Sequence, residues 1–271
     1  MRQYLQSNLQ WNDFLEEIMA ANFSPSVRPE NVLNVTNIGQ PEDDKEEDEK
    51  ESKYMVSLFD EAVINPKYSL ALLKDVFYSN IRINENTFIN MCDVFEVYRI
   101  EFDFVSKKQD TQQIFLGGSF VQKTQTIKLY VNNNIIHDYE EFLTLDDLWL
   151  EFSLFLGHEL IHKFQFYKRD SLHKDYDNTS KKRYLSQKDE IMSFAWNCID
   201  LFFIRGFSKN KILRLLSNQN YDDMEDSKDI LHNYFLMLYK TTFKNTEDEK
   251  YLKMFYKYCY LYLDKFFKGI K

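Results

Sequence analysis

The chain of 271 residues carries a formal net charge of −9, with 44% hydrophobic and 17% aromatic residues but only 6 Gly and 4 Pro. A chain this long buries a core without disulfide or metal staples, and its scarcity of turn residues disfavours an all-β fold. The acidic excess points away from a phosphate-tracking surface, so nucleic acid is not an expected partner.

Residues 1–36 are expected to form an N-terminal helical arm. Tyr4, Leu5, Leu9, Phe14, Leu15 and Ile18 recur at roughly helical spacing before the turn-like Ser24-Pro25-Ser26. Asp13, Glu16 and Glu17 fall where a signal peptide needs its apolar core, and no later apolar run approaches membrane-spanning length. A cytoplasmic protein with no membrane partner is the expectation, with virion association or export without a signal as the alternatives. Lys in excess of Arg, with abundant Asn, Ile, Tyr and Phe, looks like the product of an AT-rich genome, such as that of a bacterium, phage or other virus.

Residues 37–53 are expected to form an acidic flexible linker. The run PEDDKEEDEKESK from Pro41 to Lys53 has almost nothing apolar to offset its ordering entropy. Arm and linker together read either as a docking element or removable pro-segment, or as a tolerated surface tail.

Residues 54–271 are expected to form the main domain. Helical patterns run through Leu58, Ala62 and Val63 and, after Pro66, through Leu70, Leu73, Val76 and Phe77. Val94–Val105, Ile114–Val121 and Thr126–Val131 alternate or are rich in β-branched and aromatic residues, with Gly117-Gly118 as a bulge or turn. A small antiparallel sheet follows from these three segments. Beyond Thr144 the pattern is helical over 145–168, 188–205, 209–217, 226–239 and 247–267. Aromatics spread round most of the last helix suggest burial between neighbours. The three cysteines, Cys92, Cys198 and Cys259, sit in apolar helical patterns, which suits buried thiols in a reducing compartment. The fold class expected is α+β, mostly helical.

Chemistry concentrates in one helix. Thr144 and Asp147 form a capping-box pattern that starts a helix at Leu145, and His158-Glu159-Leu160-Ile161-His162 lies inside it. At i and i+4 two imidazoles leave one face about one turn apart, a separation two ligands of a tetrahedral zinc can span. Glu159 is offset by about 100° of rotation, so its carboxylate can serve as general base without occupying a coordination position. With 5 His in the chain, this pattern arises by chance about once in a hundred such sequences. The bland alternative is a pair of histidines satisfied by ordinary hydrogen bonds.

The string LGHELIH (Leu156–His162), preceded by the strand-like TIKLYVN (Thr126–Asn132), resembles the zincin metallopeptidases. That resemblance implies an active-site helix packed against a small sheet whose edge strand, here Thr126, Ile127, Lys128, Leu129, Tyr130 and Val131, binds an extended peptide substrate. A C-terminal helical bundle follows the active-site helix in this reading. Lys163 departs from the family, where the equivalent position is usually uncharged, although a lysine can snorkel outward.

A catalytic zinc needs a third protein ligand and an open position. The continuation His-x-x-Gly-x-x-His of one zincin branch is absent. Ser186-Gln187-Lys188-Asp189 reads as a second capping box, with Glu190, Ser193 and Asn197 along one stripe of an otherwise apolar helix. DEIMSFAWN looks like the second helix of the gluzincins, and by that resemblance Glu190 is the third ligand. Its alternative is an N-terminal glutamate favoured by the helix dipole, and the rival ligand is His173. His173, Tyr176 or Tyr184 could donate a proton to the oxyanion, and Asn197 could orient a ligand imidazole. The expected function is a zinc-dependent metallopeptidase, an endopeptidase with one zinc ion and Glu159 as base. The alternative is a zincin-fold structural or virion-associated protein that docks through its N-terminal arm.

Overall fold

The structure, a computed structural model, describes residues 66–81, 87–105, 114–133, 144–169, 180–217, 234–243 and 247–267. The expected arm, the acidic linker and the helix through Leu58–Val63 lie outside them. Among the described residues the chain is mostly helical with one three-stranded mixed sheet, an α+β arrangement. The chain divides into two compact units, with a boundary inside one helix between Phe152 and Ser153.

The unit ending at Phe152 opens with α1 (Pro66–Asn80), which starts on proline, where the missing N–H costs nothing. Helix α2 (Thr87–Glu96) follows, then β1 (Ile100–Val105), β2 (Phe115–Val121) and β3 (Thr126–Asn132). The expected strand from Val94 is therefore shorter at its start. Met91, Phe95 and Tyr98 are buried at helical spacing, and Arg99 at φ +58° turns the chain before it becomes extended.

The sheet is not antiparallel throughout. Its order is β1-β3-β2, with β1 parallel to β3 and β2 antiparallel to β3. The tight β2–β3 hairpin offers the far side of β3 to β1, and the 106–125 crossover gives the length that parallel pairing requires. Phe115 pairs with Val131 but Gly117 pairs with Tyr130, so the ladder slips at Leu116, beside the expected glycine irregularity.

Phe152 packs this unit from the first half of α3 (Leu145–Arg169). It stacks on Phe77 at 5.8 Å and on Phe102 at 6.0 Å, and meets Phe95 edge-on at 5.1 Å. Beside it the Glu151 carboxylate accepts backbone N–H bonds from Ile114 (2.7 Å) and Phe115 (2.8 Å), fixing the start of β2 to the helix. The expected capping box is formed at the start of α3: Thr144 Oγ1 accepts from Asp147 N–H, and Asp147 Oδ2 accepts from Thr144 N–H and hydroxyl.

The unit from Ser153 contains the rest of α3, then α4 (Lys181–Leu185), α5 (Lys188–Ile204), α6 (Lys209–Ser217), α7 (Tyr234–Thr242) and α8 (Glu249–Phe267). Helix α5 is buried on nearly every face from Asp189 to Phe202, and α4, α7 and α8 pack on it. Helix α8 buries a single stripe, Phe255, Cys259, Tyr262, Leu263 and Phe266, while Tyr260 and Leu261 are exposed. Its aromatics are thus not enclosed all round, contrary to the expectation from their number: the stripe at i, i+4, i+7, i+8 and i+11 is enough to hold the helix. Tyr239 of α7 stacks on Phe255 at 4.1 Å and donates its hydroxyl to Leu185 O at 3.2 Å, tying α4, α7 and α8 together.

Candidate metal centre

The middle of α3 has no solvent face. Every residue from Phe152 to Gln165 is buried, so the histidines project into the interior of their unit rather than towards water. His158 is 8% exposed, Glu159 5% and His162 5%, and Glu190 in the first turn of α5 is 2% exposed. Glycine at 157 and polar side chains on such a helix conflict with its packing needs, which marks a site rather than a core.

Among the described residues, His158, His162 and Glu190 form a buried group that could hold a metal ion. His158 Nε2 lies 3.1 Å from Glu190 Oε2, and His162 Nε2 lies 3.3 Å from Glu190 Oε1. The two imidazole Nε2 atoms are 3.2 Å apart. Ligands about 2.0–2.1 Å from a tetrahedral zinc stand about 3.3 Å from one another. Here each imidazole approaches a different oxygen of the Glu190 carboxylate, and one donor atom from each residue lies within 4.8 Å of the others, compact enough for the three to close on one ion. Two neutral imidazoles and a carboxylate are also the donor types that suit a borderline cation.

The electrostatics agree with that grouping. Burial opposes protonation of His162, but Glu190, with Glu159 and Gln165, outweighs it and lifts the imidazole to about 9. Burial works against the charge on Glu190 too, and the two histidines overcome it, holding the carboxyl well below its usual range. The site is a strong trap for positive charge. The Phe194 ring lies edge-on to His158 at 4.7 Å and closes that side with carbon.

Sequence reasoning missed Gln165. Its Oε1 is 3.0 Å from His162 Nδ1, and its Nε2 donates to the backbone carbonyl of Asp189 at 3.1 Å. The available signal was its position three residues after His162, on the same helix face. Asn197, expected to orient a ligand, is buried on α5 with its Oδ1 unsatisfied. Tyr184 is buried on α4 with its ring 6.2 Å from Phe194. His173 and Tyr176 lie outside the described residues.

Three expectations are corrected. Thr126–Val131 is not an edge strand: β3 is the middle strand, bonded to β1 on one side and β2 on the other, so its main-chain groups are taken. Lys163 does not snorkel, being 1% exposed, because the helix turn that carries it is buried all round. Ser186 does not cap α5; its hydroxyl donates to Arg183 O and it closes the short α4, leaving Gln187 as an N-cap with no side-chain bond.

No family model, curated protein or solved structure matches the chain. No helix among the described residues is long and apolar enough to cross a membrane.

Proposed function

We propose that the protein is a zinc-dependent metallopeptidase in which His158, His162 and Glu190 hold the metal and Glu159 is the general base. The single observation that carries this reading is the cluster of donor atoms built from two helices and buried from water: two imidazole Nε2 atoms 3.2 Å apart, each 3.1–3.3 Å from one oxygen of the Glu190 carboxylate. Two histidines one turn apart and a distant glutamate have no packing reason to converge on one point, since each loses hydration in doing so.

Zinc held there supplies Lewis acidity, which acidifies water and polarises a carbonyl. Glu159 takes a proton from the attacking water and delivers it to the leaving amine. It adjoins His158 in sequence, is buried, and is near enough to His162 to raise its pKa. A purely structural metal site closes all its positions with protein ligands and has no use for a base beside them. Peptide or protein is the substrate class that fits this pairing of base and three-ligand metal, and cleavage within a chain is the expected mode.

The test is metal content. Purified protein should carry about one equivalent of zinc by elemental analysis, and His158→Ala and Glu190→Ala should each lose most of it. Full zinc retention in Glu190→Ala sinks the ligand assignment; a parallel His173→Ala variant that loses zinc would assign the position to that histidine instead.

A further inference from the structure

Two bonds join α3 to the start of α5 near His162, and two more within α3 brace them. Gln165 Nε2 donates to Asp189 O at 3.1 Å, and Gln165 Oε1 faces His162 Nδ1 at 3.0 Å. Arg169 donates through Nη2 to Asp189 Oδ1 at 2.7 Å and through Nε to Gln165 O at 3.3 Å. Gln165 and Asp189 are each 2% exposed, so water cannot substitute for these partners.

The donor pattern has one solution. A backbone carbonyl only accepts, so the Gln165 amide must turn its NH₂ towards Asp189 O. Its carbonyl oxygen then faces His162, and an amide oxygen also only accepts. Nδ1 of His162 must therefore carry a proton, which makes Nε2, facing His158 and Glu190, the ring nitrogen left to bind a metal. The carbonyl that sets this chain belongs to the residue immediately before the third ligand, so the same amide positions groups on both metal-bearing helices.

We infer that Gln165 is the positioning residue of the metal centre: anchored by Asp189 O and braced by Arg169, it fixes His162 as the Nδ1–H tautomer with Nε2 free for the metal. This rests on the proposed metal site. It gives that site its pre-organisation, because a histidine free to flip or change tautomer presents the wrong nitrogen part of the time.

The test compares zinc affinity, by chelator competition on the full chain, in wild type, Gln165→Met and Gln165→Glu. Met keeps the volume but accepts nothing from Nδ1, and its zinc Kd should rise about 10–100-fold. Glu still accepts from Nδ1 while losing the donor to Asp189 O, so its Kd should stay within about threefold of wild type even if its melting temperature falls. Wild-type zinc affinity in Gln165→Met overturns the inference while leaving the metal site standing. Equal loss of affinity in Met and Glu variants, in step with equal loss of melting temperature, also overturns it, since Gln165 would then act only through packing. A wild type that binds no zinc refutes the metal site itself. Independently of any variant, long-range ¹H–¹⁵N spectra of the zinc-loaded wild type should show His162 protonated at Nδ1; a pyridine-type Nδ1 refutes the assignment.

Discussion

At position 159 a glutamate and a glutamine differ by little in shape and by everything in proton affinity. Glu159→Gln should therefore keep its zinc and its fold while hydrolysis of a casein or peptide-library substrate falls about 10²–10⁴-fold. Activity at the wild-type level in that variant would remove Glu159 from the mechanism. The histidines and Glu159 were legible one residue at a time, because i and i+4 on a helix fix a shared face whatever surrounds it. Lys163 was not. Its burial depends on neighbours packed around α3, and a single sequence position carries no record of them.

Helix α3 shows at the level of an element how a charge can be held in place at a cost. Burial pushes the Glu151 carboxyl up to about 7, with the N–H groups of Phe115 and Ile114 opposing the shift. Its ordinary value is 4.5, so the folded state binds the proton more tightly than the unfolded one. The associated stability is fully present below pH 4.5 and is lost as pH rises through about 7, a change of up to about 3 kcal/mol. Gln at 151 still accepts both N–H bonds and has no charge to desolvate. Urea melts of wild type and Glu151→Gln should give similar stability near pH 4.5, with the variant gaining on wild type up to pH 8. A constant difference across that range would mean Glu151 does not titrate there. The start of α3 was readable because its capping box is local. The start of α5 was misread because Ser186 was already used by α4, a five-residue helix with too few residues to show a period.

For the molecule as a whole, the proposed metal site joins α3 to α5 through His158 and Glu190, which stand 32 residues apart in the chain. Metal bound to the folded state alone should stabilise it by about 4 kcal/mol when free zinc exceeds its Kd about 1,000-fold. Stripping the protein with a chelator should accordingly lower its melting temperature, readdition of zinc should restore it, and His158→Ala should respond to neither. A melting temperature indifferent to chelator would argue that the three side chains close on one another without a metal. Mixed α+β character and most helix bounds followed from hydrophobic spacing, since burial of one face is a property of each segment alone. Strand order did not, because alternation marks a strand and is silent about which neighbour lies on each side.

What the sequence determined by itself was a helix from Leu145 presenting His158, Glu159 and His162, because spacing, caps and periodicity are all set within a few residues. Only the tertiary structure brought Glu190 to both imidazoles, put β3 in the middle of its sheet, and turned Gln165 into the partner of His162. Each of these depends on groups remote in sequence meeting in space, the Asp189 carbonyl above all. A one-dimensional pattern encodes which face of an element is buried, not what it is buried against.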